Sequence, residues 1–231
     1  MERGQLPLAL SLDTEATFDN YYIPQSQRLV VNQLQAVADG QGEKHLFLAG
    51  RTGRGHLLQA CCHRASALQR DVRYIPLEDV RDYPADAVLE GIEQSELICL
   101  DNLDAIVGSR DWEVALFSLY NQSLTNRCQL VFAAAQVPSA IAFDLPDLAS
   151  RLRSFSVYQI TELDDEERIR ALQHRASALG MEVSQPVAEY IYRRCQRDLH
   201  SLFRVLTELD RHSLAQQRRL TKPFVKEIMC W

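Results

Sequence analysis

A glycine-rich turn lies between an apolar strand and an apolar helix near the start of the chain. Residues 45–60 read HLFLAGRTGRGHLLQA and include Gly50, Gly53 and Gly55. Backbone amides at the start of such a helix point at bound anions, which makes the turn a candidate phosphate site. A working P-loop also needs a Lys for the β- and γ-phosphates and a Ser or Thr for magnesium, and both are missing here. The only lysines of the chain lie elsewhere: Lys44, Lys222 and Lys226.

Asp101 is the second candidate for nucleotide chemistry. It follows the apolar run LICL at residues 97–100, the third predicted strand. The carboxyl ends of parallel strands meet at one edge of a sheet, so Asp101 is expected close to the glycine turn. An acid in that place is the Walker B pattern, which reaches a metal–phosphate centre. The sequence therefore predicts a weak Mg²⁺ ligand at Asp101.

The elements that position these residues alternate between strands and helices. Five apolar segments predict strands, and they are residues 45–49, 72–76, 96–101, 129–135 and 156–160. Such alternation is typical of an α/β fold with a parallel sheet that has helices on both faces. After residue 160 only helical patterns follow. We predict a tail at 1–17, an α/β core at 18–161 and a small α-helical lid domain at 162–231.

The composition limits the classes of function. The formal net charge of -6 argues against general affinity for nucleic acid, so contact with DNA is expected to be weak or indirect. Residues 193–222 hold eight basic against three acidic side chains, which indicates either a solvated helical face or a local basic patch. No stretch approaches the roughly 18 apolar residues of a membrane span, so a cytoplasmic protein with no membrane contact is expected.

Four further segments, taken with the glycine turn and the strand before Asp101, resemble the AAA+ superfamily and, within it, the initiator (DnaA) branch. These segments are FDNYYI (18–23), GRGHLL (53–58), LASRL (148–152) and RDLHSL (197–202). The resemblance implies that Arg54 stands at the Walker lysine and Gly55 at the following threonine. An alternative frame makes Gly50 and Gly55 the two P-loop glycines, with His56 and Leu57 in the lysine and threonine places.

The resemblance also assigns roles to other residues. It implies an arginine finger at Arg151, which would act on a partner's nucleotide, and a nucleotide sensor at Arg197. The other implied nucleotide-binding residues are Gly53, His56, Asp101, Tyr22 and Ile23. The tail segment QLPLAL is similar to the peptides by which replication proteins bind the sliding clamp, the β subunit of DNA polymerase III. The clamp-binding residues implied there are Gln5, Leu6, Leu8 and Leu10.

Three departures from the pattern argue against autonomous ATP hydrolysis. The loop from Leu48 to His56 is about two residues short, Asn102 replaces the Glu that activates water, and the strand at 133–135 ends in three alanines. Together with these departures, the resemblance implies a regulator that binds ADP or another nucleoside diphosphate, joins the clamp and stimulates ATP hydrolysis by DnaA. Through the clamp it would associate with the nucleoid. An independent AAA+ ATPase and a module that binds no nucleotide remain the alternative functions. A second copy of this chain is a further candidate partner, which would make a homodimer.

Overall fold

The computed structural model describes residues 12–216 and 218–231. Its centre is a five-stranded parallel sheet with the strand order β2-β3-β4-β1-β5. The strands are β1 (His45–Ala49), β2 (Val72–Pro76), β3 (Leu97–Asp101), β4 (Gln129–Ala134) and β5 (Ser156–Gln159). The predicted α/β fold with five parallel strands is confirmed. Because β1 lies between β4 and β5, the glycine turn leaves the sheet from an interior strand.

Of the residues that the structure describes, 12–18 and 25–162 form the first unit, and its α-helices number six. They are α1 (Arg28–Ala38), α2 (Arg54–Ala67), α3 (Leu77–Val80), α4 (Ala85–Leu89), α5 (Arg110–Thr125) and α6 (Pro146–Leu152). The sequence did not predict α6, which has only seven residues and begins with proline. Proline suits the first turn of a helix, where its missing N–H has no partner to lose.

Both faces of the sheet are covered. Phe47 and Phe132 point to one face, where they join a fully buried cluster with Leu116 of α5 and Leu148 of α6. Helices α1 and α2 pack together, and α2 also packs on β2, β3 and β4. Apolar strands buried on both sides are what a parallel sheet in an α/β protein requires.

The second unit comprises residues 19–24 and 163–231, and it has its own apolar core. Its helices are α7 (Asp165–Ala178), α8 (Gln185–Arg194), α9 (Leu199–Gln216) and α10 (Lys222–Met229). A capping box opens α7, because Asp164 accepts the Glu167 N–H while the Glu167 carboxylate accepts the Asp164 N–H. The predicted small helical domain is confirmed. Within the two described ranges, no helix combines the length and the apolar character that crossing a bilayer requires.

Candidate functional site

The glycine turn is a short connection between β1 and α2. Only residues 50–53 separate Ala49, the last strand residue, from Arg54, the first helical residue. Gly53 is the N-cap of α2 and has a left-handed backbone with φ of 82°, which glycine adopts without steric cost. The helix thus begins at the residue that the resemblance places at the Walker lysine, whereas His56 of the alternative frame lies two residues inside it.

The backbone N–H of Gly50 takes part in the hydrogen bonds of the sheet and is not directed at a ligand. It donates to the Ala134 carbonyl at 3.0 Å. A Cβ on Gly50 would lie 2.9 Å from the Cβ of Ile160, so the backbone here is pressed against the end of β5. A standard P-loop spans six residues from its first to its second glycine, and this one spans four. The loop therefore has fewer free amides with which to surround a phosphate chain.

The side chain of Arg54 turns inward and joins the glycine turn to the end of β3. Its Nε lies 3.4 Å from Oδ1 of Asp101, and its Nη2 donates to Oδ1 of Asn102 at 2.6 Å. Its Nη1 donates to the Gly50 carbonyl. The ion pair is largely shielded from solvent, because the Arg54 side chain is 11% exposed and that of Asp101 6%. The structure thus brings the predicted residues Arg54 and Asp101 together.

Asp101 also receives hydrogen bonds from two other groups. Its Oδ1 accepts the Asn102 N–H at 2.8 Å, and its Oδ2 accepts the Tyr74 hydroxyl at 3.3 Å. Burial raises the pKa of the Asp101 carboxyl, and the Arg54 guanidinium partly offsets that effect. Burial also raises the pKa of Tyr74, and the neighbouring Asp101 carboxylate raises it further. All these partners donate, which suits a deprotonated carboxylate.

The residues present do not fit a magnesium ion. Mg²⁺ takes six oxygen ligands in near-octahedral geometry, usually with a Ser or Thr hydroxyl in P-loop proteins. Gly55 offers no hydroxyl, and a Cβ there would lie 3.0 Å from Oδ2 of Asp101 and 3.6 Å from the Tyr74 oxygen. Both oxygens of Asp101 already accept hydrogen bonds. Across residues 12–216 and 218–231, no group of three or more His, Cys, Asp or Glu side chains is arranged to hold a metal.

Arg151 occupies the last turn of α6 and is exposed. Its guanidinium carbon lies 5.8 Å from the centre of the Tyr120 ring, within the range of a cation–π contact. In the part of the chain that the structure describes, no ion pair joins Arg151 to the neighbouring Asp147. The guanidinium is thus placed by an aromatic ring and keeps its N–H donors available.

A buried carboxylate holds the start of the same helix. Glu113 on α5 is 0% exposed and accepts the Leu145 N–H at 2.6 Å, where Leu145 is the N-cap of α6. Its other oxygen accepts the Gly108 N–H at 3.0 Å. Glu113 and Tyr120 are seven residues apart, so both lie on one face of α5 together with the buried Leu116. One face of α5 therefore contacts both ends of α6.

Sequence reasoning missed Tyr74, Glu113 and Tyr120. Glu113 had a signal, because the helical period aligns it with Leu116 on the buried face of α5, where an acid must find donors. Tyr74 had none, because a tyrosine in the middle of a strand is ordinary. The role of Tyr120 depends on α6, which the sequence did not predict.

The remaining predicted residues lie in two different units. His56 belongs to the first unit, and its Nε2 lies 2.7 Å from the Thr17 carbonyl. Tyr22 and Ile23 belong to the second, where the Tyr22 ring meets the His174 ring edge-on at 6.2 Å. Gln5, Leu6, Leu8 and Leu10 lie outside the described residues.

Arg197 also belongs to the second unit and makes two contacts within it. Its Nη1 lies 3.7 Å from Oδ2 of Asp165, and its guanidinium lies 5.7 Å from the Tyr192 ring centre. The Tyr192 hydroxyl donates to Oδ1 of the same Asp165 at 2.6 Å. Arg197 is thus oriented by an acid and a ring, although its side chain is 67% exposed.

Comparison with known families matches two consecutive parts of the chain. Residues 12–158 match the model of the bacterial DnaA ATPase domain. Residues 165–229 match the model of the Hda lid domain. The two matches fall on the α/β unit and on the helical unit that the structure shows.

Solved structures with the same fold include replication initiators and a motor. Domain III of the Thermotoga maritima initiation protein DnaA is 18% identical, with a TM-score of 0.76 over 94% of this chain and 97% of that one. DnaA bound to AMPPCP and single-stranded DNA is 18% identical, with a TM-score of 0.74 over 90% and 69% of the two chains. The Thermotoga maritima RuvB branch migration motor is 18% identical, with a TM-score of 0.64 over 93% and 71%.

Proposed function

Because this chain belongs to the family of bacterial DnaA ATPase domains and its second unit matches the Hda lid domain, we propose that it regulates the replication initiator DnaA. It stimulates hydrolysis of DnaA-bound ATP and so returns the initiator to its inactive form. The active group is Arg151, which acts in trans on the nucleotide of DnaA. Residues 5–10 attach the protein to the sliding clamp on DNA.

The observation that carries this proposal is the contrast between two arginines. Arg54 has three hydrogen-bond acceptors inside its own site, whereas Arg151 is exposed and rests on a ring. An arginine finger stabilises the charge that develops on the transferred phosphoryl group, so its guanidinium must be free to meet another subunit's phosphate. A site that lacks hydrolytic groups, beside an arginine that is available, suits a protein that acts on a partner's ATP.

The nucleotide of this chain is proposed to be ADP. Two of the structural relatives are DnaA structures that hold AMPPCP, so the fold accommodates an adenine nucleotide in those proteins. Here the short loop, and the poor fit of Gly55 and Asp101 to Mg²⁺, favour a diphosphate because it carries less negative charge than a triphosphate. Binding to the native state alone must raise the unfolding temperature, so a thermal shift with ADP tests this part.

An independent ATPase is the second candidate function. RuvB, a motor, shares the fold, yet a likeness at 18% identity extends to the fold alone. The groups needed for turnover are replaced here by Arg54, Gly55 and Asn102. Regulation of DnaA is therefore better supported than independent ATP hydrolysis.

The decisive experiment measures hydrolysis of DnaA-bound ATP in the presence of this protein and DNA-loaded clamp. We expect wild-type protein to accelerate hydrolysis and Arg151→Ala to lose nearly all of that effect, because fingers contribute about 10³ to 10⁵ in rate. Arg151→Lys should recover little, since lysine lacks the planar fork that contacts two oxygens. Arg153→Ala, which changes an exposed arginine two residues away, is the matched control and should remain active. A folded Arg151→Ala protein that stimulates as well as wild type would refute the proposal.

A further inference from the structure

We propose that Arg54 is the permanent counter-ion of Asp101 and takes the place that Mg²⁺ holds in hydrolytic AAA+ sites. The inference deepens the proposed function, because it specifies a nucleotide site that works without metal. All the residues of this arrangement lie between positions 50 and 102 of this chain, so the ion pair can be tested without DnaA.

Both carboxylate oxygens of Asp101 already face hydrogen-bond donors of this chain. A magnesium-binding Walker B acid presents at least one oxygen to the metal shell. Here Oδ1 accepts from Asn102 and faces Arg54, and Oδ2 accepts from Tyr74. Inserting a metal would require removal of these donors, each of which is itself largely buried or held by the backbone. The chain thus supplies the positive charge and the hydrogen bonds that a hydrated metal would supply.

The Arg54 guanidinium contacts three acceptors of the site at once. A guanidinium carries five N–H donors in a plane. Three of them reach Asp101, Asn102 and the Gly50 carbonyl, which leaves two. Those contacts tie the glycine turn to the end of β3 through side-chain and backbone atoms of this chain alone.

Little room is left at position 55 for the side chain that would carry the missing hydroxyl. Gly55 is the residue that would carry it, and any Cβ there comes within 3.0 Å of the Asp101 carboxylate. That carboxylate is held by several donors and cannot move away freely. Gly55 leaves room for the same Asp101 carboxylate that Arg54 pairs with. The two departures from the P-loop pattern are therefore parts of one ion-pair site.

The test is a double-mutant cycle on thermal unfolding, in EDTA and without nucleotide. The single variants Asp101→Asn and Arg54→Met each leave the other partner buried without its opposite charge. Loss of one partner of a buried pair is strongly destabilising, so each should lower Tm by roughly 5 to 10 °C. The double variant, in which both charges are gone, should lose clearly less than the sum of the two. Arg51→Ala, an exposed arginine of the same turn, is the control and should change Tm by about 1 °C or less.

A second measurement compares Tm with ADP plus Mg²⁺ and with ADP plus EDTA. Equal values within about 1 °C are expected, because Asp101 has no place for the metal. The proposal is overturned if Asp101→Asn keeps the wild-type Tm in EDTA, if the two single losses simply add, or if Mg²⁺ raises Tm by several degrees in the presence of ADP. If a single variant does not fold, a double variant that folds supports the pairing and one that also fails overturns it. None of these Tm measurements involves DnaA. A failure to stimulate hydrolysis of DnaA-bound ATP would therefore contradict the proposed function but not the proposed ion pair.

Discussion

The guanidinium of Arg151 lies 5.8 Å from the centre of the Tyr120 ring, and the two residues come from different helices. Tyr120 is in turn surrounded by His45 and Phe155, whose ring centres lie 5.0 and 5.8 Å from its own. These neighbours restrict the Tyr120 ring, so the ring can hold the Arg151 guanidinium in one position. In the proposed role of arginine finger, Arg151 would lose less side-chain entropy on meeting a phosphate, because the contact with the ring already restricts part of its freedom.

Replacing Tyr120 should weaken stimulation without abolishing it. A cation–π contact at an exposed site is worth about 0.5 to 1 kcal/mol, so Tyr120→Leu should lower the stimulated rate of DnaA ATP hydrolysis about 2- to 5-fold. Tyr120→Phe keeps the ring and should behave nearly as wild type. The assay must be run well below the Tm of each variant. Full stimulation by folded Tyr120→Leu would show that the ring does not position the finger.

Glu113 should be important for stability. Its carboxylate accepts two backbone N–H groups in a fully buried place, whereas a glutamine can accept with only one of its two terminal atoms. Hydrogen bonds to a charged group are worth about 1.5 to 3 kcal/mol, so Glu113→Gln should lower the free energy of unfolding by about 2 kcal/mol in urea denaturation. Glu43→Gln, at an exposed position, should change it by less than about 0.5 kcal/mol. Equal curves for both variants would contradict this role.

The segment QLPLAL (5–10) should bind the sliding clamp without contributing to the stability of the fold. Gln5→Ala combined with Leu6→Ala and Leu8→Ala should abolish binding to the sliding clamp in gel filtration. The Tm should stay unchanged, because the proposed role of residues 5–10 is contact with the clamp. Co-elution of the triple variant with the clamp would show that QLPLAL is not the binding peptide.

Purified protein alone should hydrolyse ATP negligibly. Arg54 is held by three acceptors, Gly55 has no hydroxyl and Asn102 cannot act as the base that activates water. Steady-state phosphate release measures this directly. Turnover at the rate of an ordinary AAA+ ATPase that disappears in Asp101→Asn would make the chain an enzyme in its own right.

His45 should make stability depend on pH. Burial lowers its pKa below the usual 6.5, and the positive charge of Lys44 adds to the effect. The unfolded chain therefore binds more protons than the folded one as pH falls through 6.5 toward the folded pKa, and stability is lost in that window. His45→Phe keeps a ring beside Phe155 and should remove this part of the slope when Tm is measured between pH 5 and about 7.5. An unchanged slope would assign the dependence to other groups.

Much of the fold could be predicted from the sequence, because buried parallel strands are short apolar runs that stand out between helices. β1 and β2 have the predicted bounds, and β3, β4 and β5 differ by one residue at one end. The segment PADAVLEGIEQ (84–94) predicts one helix by its apolar spacing, and this prediction is wrong in length. In the structure α4 ends at Leu89, and Gly91 has a left-handed backbone with φ of 80°. A glycine inside a helical pattern is only a weak signal for a break.

The site was harder to predict. The meeting of Arg54 with Asp101 could be expected, because both follow strands whose ends share an edge of the sheet. The inward turn of the guanidinium could not, since it depends on the Gly50 carbonyl and the Asn102 side-chain oxygen as well as on Asp101. Contacts between residues far apart in the chain, such as Glu113 with Leu145, are set by helix packing, and local patterns do not encode them.

The close approach of Gly55 to Asp101 bears on how the residues of this site could be changed toward those of an ATPase. Gly55→Thr alone would press a side chain against a carboxylate that several donors hold in place. Arg54→Lys alone would remove contacts to Asn102 and Gly50 that a lysine ammonium cannot reproduce in one plane. A longer loop alone would still meet Gly50 wedged against Ile160. Each of these changes strains or removes a contact that the present site makes, so an active ATPase site would need several coordinated changes rather than one substitution.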